Sequence, residues 1–172
     1  MALSGQAGVF AVAVLCAAGV GVVLHIVGLA TPEWTNLPNI PLFGSRSYGL
    51  WQLCAGGNCV DYPTKADSLA ACEAFAILGM LAGCVAVVFA ILQLVFKING
   101  KPQNSKFNLA IIGGCFSAFV CILITVAVWG GEIHEPMTAG NAEIGYSFIL
   151  SIVGGCLLAI AGGLECALLN SQ

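Results

Sequence analysis

Four long apolar runs constrain this chain more than any other feature. They cover residues 9–30, 69–96, 109–130 and 144–169. Each reaches the roughly 20 residues that a helix needs to cross a hydrocarbon core. In lipid every backbone N–H and C=O must pair within the protein, so each run is expected to be a helix. Charged residues make up only 8% of the 172-residue chain, against about 25% in an ordinary soluble domain. A soluble bundle would need polar faces that these runs lack. The first run is longer than a signal-peptide core and its flank, MALSGQAG, has no Lys or Arg, so it is read as a retained span. The expectation is one membrane domain over residues 1–172, with outer segments at 31–68 and 131–143 and the lipid bilayer as its surroundings.

Lysine and arginine set the orientation. The connection between runs two and three, KINGKPQNSK, carries Lys97, Lys101 and Lys106 and no acid. The much longer segment between runs one and two holds only Arg46 and Lys65, and the one between runs three and four holds neither. Both termini are therefore expected in the cytoplasm, with the protein multi-pass in the plasma membrane.

The segment GLWQLCAGGNC, residues 49–59, stands apart from the apolar runs. Ala55-Gly56-Gly57-Asn58 is hairpin-loop chemistry, and the flanks RSYGLWQLC and CVDY carry the aromatic and β-branched content of strands. Two strands joined by a four-residue loop would bring Cys54 and Cys59 opposite each other, where they can meet disulfide geometry. A zinc site competes poorly: the spacing is C-x4-C, and outside the runs only His134 remains as a further ligand. No metal is expected.

Trp34, then Gly49, Leu50 and Trp51, then Cys54 and Cys59, resemble the W…GLW-x2-C…C signature of the claudin, peripheral myelin protein and epithelial membrane protein superfamily. The resemblance covers essentially the whole chain, including TPEWT after the first run and GYSFIL and GGLECALL in the fourth. It implies an all-α transmembrane four-helix bundle carrying a small extracellular antiparallel β-sheet, a Cys54–Cys59 disulfide, and tryptophans that anchor the sheet near the membrane. Two departures stand out. Glu73 occupies a place where many members carry Arg, and the terminal LLNSQ shows no PDZ-binding motif. The short C-x4-C gap resembles the lens and epithelial branch more than vertebrate claudins, and the chain is similar to an invertebrate-type member.

Small residues recur at helical spacing, among them Gly79 and Gly83 in the second run and Gly155, Ala159 and Gly163 in the fourth. Such faces let helices approach closely in lipid. His25, Gln93 and Glu165 are expected to hydrogen-bond at the interface or within the bundle. No paired carboxylates, Ser/His/Asp set or phosphate-binding loop is present, so no enzyme and no cofactor are expected. A net charge of −3 offers nothing to nucleic acid. The resemblance implies a junction protein that associates with itself in cis and trans at cell–cell contacts and forms or regulates a paracellular barrier or path. The alternatives are an auxiliary subunit of a channel or receptor, or a myelin- or lens-type membrane organiser. In pore-forming claudins the residues just past the second cysteine resemble a filter position, which here is Val60-Asp61. With acids prevailing over bases in the outer segments, Asp61 is expected to favour cations.

Overall fold

The computed structural model describes residues 2–40, 44–101 and 105–170. Four helices, α1 (Ala2–Ala30), α2 (Asp67–Ile98), α3 (Ser105–Val128) and α4 (Tyr146–Asn170), are each long and apolar enough to cross a membrane. Around the bundle, α1 packs on α4 and α2, and α3 packs on α2 and α4. The α3 axis continues past its apolar run through a π-helical turn, Trp129–His134, and a 3₁₀ segment, Glu135–Gly140. The stretch GEIHEP that follows the third apolar run is thus helical. Trp129, where this π-helical turn starts, is fully buried.

Small residues share the centre of the bundle with a few large aliphatic ones such as Ile111, Ile122 and Leu158, while many other large side chains face outward. Ala18, Ala76, Ala86, Ala118 and Ala161 are buried. Val9 is 71% exposed and Leu109 69%. In water that distribution would be unstable, because large aliphatic side chains belong inside. In lipid it costs nothing, and the small interior brings the backbones together. A methyl on Gly154 would lie 2.6 Å from the Gly21 carbonyl oxygen, and one on Gly21 would lie 2.8 Å from the Gly154 oxygen. A methyl on Gly83 would meet Val22 Cγ2 at 2.8 Å, and methyls on Gly79 and Gly155 would each meet Ile122 at 3.2 Å. Ala159 is partly buried. Gly163 has open space around it. A run of i, i+4 positions drifts about 40° per step around a helix of 3.6 residues per turn, so Gly155 and Gly163 do not share a face.

Polar groups in the spans turn inward. Gln93 Nε2 donates to Glu165 Oε1 at 2.9 Å across the bundle, and both side chains are buried. His25 Nε2 lies 3.0 Å from the Ala76 carbonyl oxygen, a tie between α1 and α2. Of the two sites expected for these residues, the bundle is the one they occupy.

Five short strands form one antiparallel sheet at the end of the bundle where α1 finishes. They are β1 (Thr35–Ile40), β2 (Gly44–Tyr48), β3 (Gln52–Ala55), β4 (Asn58–Asp61) and β5 (Glu143–Ile144), in the order β4-β3-β2-β1-β5. The first four come from the α1–α2 connection. Thr35↔Ile144 and Asn36↔Glu143 add the strand that precedes α4. RSYGLWQLC, expected as one strand, is two: Gly49 N–H donates to the Gln52 carbonyl at 2.9 Å, and β2 and β3 pair on either side of that turn.

The two glycine sites separate close packing from small size. Gly154→Leu is expected to destabilise the bundle by roughly 2–3 kcal/mol through overpacking, read as a lower unfolding midpoint in detergent. Gly163→Leu should leave the midpoint within about 0.5 kcal/mol of the parent.

Candidate functional site: the junction of sheet and bundle

An α-helix ends with four carbonyls that have no partner within it. At the edge of a membrane those groups meet little water, so each needs a donor from the protein. In α1 three of them, on residues 27–29, are met by groups from the connection that follows. Val27 O accepts from Thr31 Oγ1 at 2.7 Å and from Thr31 N–H at 3.1 Å. Gly28 O accepts from Trp34 Nε1 at 2.8 Å. Leu29 O accepts from Trp51 Nε1 at 2.7 Å. The two tryptophans of the signature are thus donors that close the end of the first span.

The residues between and beside them follow from that arrangement. Gly49 lies against Pro32 so closely that a side-chain carbon would clash with the Pro32 backbone. Leu50, at the tip of the β2–β3 turn, is fully buried. It belongs to a cluster with Leu29, Trp34, Leu69, Cys72, Trp129 and Phe148 that fills the space between helices and sheet. Tyr62 donates its hydroxyl to Gly49 O at 2.8 Å and so fastens the exit from β4 to the same turn. Burial, then the neighbouring Tyr48 and Glu73, push the Tyr62 phenol up to about 12 from its ordinary 10.0.

Several members of the junction are not apparent in the signature. Trp129 packs on Trp34 in a tilted arrangement with ring centroids 5.1 Å apart, and Phe148 meets Trp34 edge-on at 5.8 Å. Trp129 Nε1 donates to Thr35 Oγ1 at 3.0 Å, and Thr35 Oγ1 lies 3.0 Å from His134 Nδ1. Gly145 N–H donates to Trp34 O and Ser147 N–H to Glu33 O, both at 3.0 Å, so the start of α4 is laced to the start of β1. The signal for Trp129 was its position: a tryptophan at the end of an apolar run marks an interface anchor. The others depend on pairing between segments more than ninety residues apart.

Glu73, in the place where the resemblance suggests Arg, accepts from Lys65 Nζ at 2.6 and 2.9 Å. Lys65 also lies 5.7 Å from the centre of the Trp51 ring. The cation is present, but it comes from the linker ahead of α2. An ion pair this exposed contributes at most about 1 kcal/mol, so its effect is to hold the linker over Trp51.

Away from the bundle, Cys54 and Cys59 pair directly across β3 and β4 and form a disulfide, with Cα atoms 4.0 Å apart. The loop beyond them has two residues, not four, because Ala55 and Asn58 are themselves paired. Gly56 and Gly57 have φ of +57° and +86°. Two-residue hairpin turns of the type I′ class need that sign at both positions, and glycine adopts it without strain. Asp61 is exposed on β4, an edge strand, opposite Gln52, and has no ion-pair partner among the described residues. The structure therefore gathers Trp34, Gly49, Leu50 and Trp51 at the top of α1 and holds Cys54, Cys59 and Asp61 on the outer hairpin.

Comparison with known proteins finds the same frame. A model of the PMP-22/EMP/MP20/Claudin family matches residues 7–165, which contain every residue of this junction. Epithelial membrane protein 1 of Mus musculus is 28% identical over 127 residues, covering 70% of this chain and 74% of that protein. Epithelial membrane protein 2 of Danio rerio is 30% identical over 125 residues, covering 69% of this chain and 74% of its own length.

Trp51→Phe keeps an aromatic ring but removes the donor to Leu29 O, and is expected to cost about 1–2 kcal/mol of stability in detergent. Leu50→Ala should cost more, about 2–5 kcal/mol, because it empties a fully buried site. The phenol of Tyr62 supplies a pH test. Its folded value lies above 10.0, so its contribution is complete below about pH 10 and is lost as pH rises toward about 12. Spectrophotometric titration of the folded protein should show one late tyrosine that Tyr62→Phe removes.

Proposed function

Because the chain belongs to the PMP-22/EMP/MP20/Claudin family, we propose that this multi-pass membrane protein associates with itself at cell–cell contacts of the plasma membrane, and that it forms or regulates a paracellular barrier or a cation-preferring path there. Both termini and the Lys97–Lys101–Lys106 turn face the cytoplasm in this reading, and the sheet faces outward. The excess of lysine at that turn supports the orientation. The disulfide supports it too, since such bonds persist where thiols are oxidised.

The observation that carries the reading is the division of labour within the first connection. One turn, Gly49–Trp51, is sunk into the bundle, and the opposite turn, Gly56–Gly57, is stapled and presented outward. A displayed, rigid edge suits contact with another protein more than catalysis. The sheet-bearing end holds Glu33, Asp61, Asp67, Glu73, Glu132, Glu135 and Glu143 against Arg46 and Lys65. Acids thus outnumber bases at this end by seven to two. A path between such surfaces concentrates cations and excludes anions, and Asp61 stands exposed on its outermost strand.

A second reading, a membrane organiser of the epithelial branch or an auxiliary subunit, is supported by the likeness to two epithelial membrane proteins and by the short gap between Cys54 and Cys59. Dilution potentials across an epithelial layer separate the two. The junction reading expects tagged protein at cell borders and a cation preference that falls by at least about twofold in Asp61→Lys. Border staining absent and potentials unchanged in both would favour the second reading.

A further inference from the structure

The end of the bundle opposite the sheet carries a built basic site. Lys97, Lys101 and Lys106 are three of the five Lys and Arg residues in the chain, and they fall within ten residues. The end of α2, which carries Lys97 and leads into Lys101, is tightly closed. Gly100 N–H donates to Lys97 O and Lys101 N–H to Phe96 O, at 3.1 and 3.0 Å. That pair of bonds, with Gly100 at φ +66°, is the Schellman closure of a helix. Asn99 Nδ2 adds a bond to Val95 O at 2.9 Å. In this closure the residue after the glycine folds back over the last helical turn, where an apolar contact commonly forms. Here that residue is Lys101, and its Nζ sits 5.3 Å from the centre of the Phe96 ring.

Phe96 is in turn stacked on Phe107 of α3 at 5.4 Å, and Phe107 meets Phe89 at 5.6 Å. The aromatic pillar ties the last turns of α2 to the first turn of α3, on which Lys106 lies. Lys101 and Lys106 are exposed and Lys97 half-buried. Glu165, which is buried and bonded to Gln93, lies within electrostatic reach of Lys97. Immediately beside the lysines the surface turns apolar: Ile98 is 76% exposed and Leu109 69%. A ligand that satisfies both halves has an anionic head and a hydrocarbon tail.

We propose that the adjoining ends of α2 and α3 form a binding site for an anionic phospholipid of the bilayer, whose headgroup phosphate is held by Lys97 and Lys101 with Lys106 beside them, while its acyl chain lies against Ile98 and Leu109. Basic residues at the membrane surface attract such lipids, which are concentrated in the cytoplasmic leaflet. The cellular setting therefore rests on the orientation proposed above, but the binding itself does not.

The full chain in nanodiscs of phosphatidylcholine with a minor share of phosphatidylserine or a polyphosphoinositide tests the site, with retained lipids counted by native mass spectrometry. Anionic lipid is expected to be enriched about fivefold over its bulk share and to fall toward that share in high salt. Replacing all three lysines by Gln should abolish the enrichment. Gly100→Val keeps every charge but opposes the positive φ of the closure, and should lose at least half of it. Lys101→Gln, which leaves the turn intact, should give a comparable loss. Arg46→Gln, at the other end, should change nothing. No enrichment in the parent, full enrichment in the triple variant, or equal enrichment in Gly100→Val and Lys101→Gln and the parent would overturn the site, and loss on Arg46→Gln would move it to the sheet. Because lipids from both leaflets are counted, failure here is independent of which end faces the cytoplasm.

Discussion

The carbonyls at the end of α1 are the constraint on which the sheet depends. A helix leaving a membrane must close its last turn with donors that water supplies poorly at that depth. Two indole N–H groups do so, and they reside on different parts of the following connection: Trp34 just ahead of β1, Trp51 in the turn between β2 and β3. Satisfying both carbonyls pulls the first strand and the second hairpin onto the same helix end. Once there, Gly49 must lie flat on Pro32, and Leu50 fills the gap between Trp34 and the helices. The signature W…GLW thus describes a helix cap spread over eighteen residues of chain, with a buried leucine as its plug.

The bundle below supplies a rigid support for that cap. Glycine and alanine recur in its interior, and α1 and α4 approach until backbone meets backbone at Gly21 and Gly154. Packing alone would let such smooth helices slide. The bonds from Gln93 to Glu165 and between His25 and Ala76 fix register between α2 and α4 and between α1 and α2. Ser147 completes the lock at the sheet end through its bonds to Glu33 and Thr31. Strand β5 and the start of α4 therefore cannot move without disturbing β1.

The two ends of the bundle differ in charge and in construction. At one end an acidic sheet projects a disulfide-bound hairpin beyond the membrane-spanning helices. At the other, a tight helix closure backed by phenylalanines collects lysines. Both are surfaces with a fixed shape and a single prevailing sign, which suits recognition of other molecules or of lipid.

Much of this was legible in the residues themselves. Run length and the poverty of charge required four membrane helices, because lipid leaves a backbone no alternative. The Gly56–Gly57 turn and the cysteines beside it required a hairpin, though its loop is shorter than the Cys-to-Cys gap because Ala55 and Asn58 extend the ladder. Other features were decided only in three dimensions. The break of the strand at Gly49–Trp51 follows from where the end of α1 lies, which local β propensity cannot report. The partnership of Trp129, Thr35 and His134 and the addition of β5 join segments separated along the chain. A sequence states each residue's own preference for lipid, water, helix or turn; which donor reaches which carbonyl is settled when the helices pack and bring distant segments to the same end of the bundle.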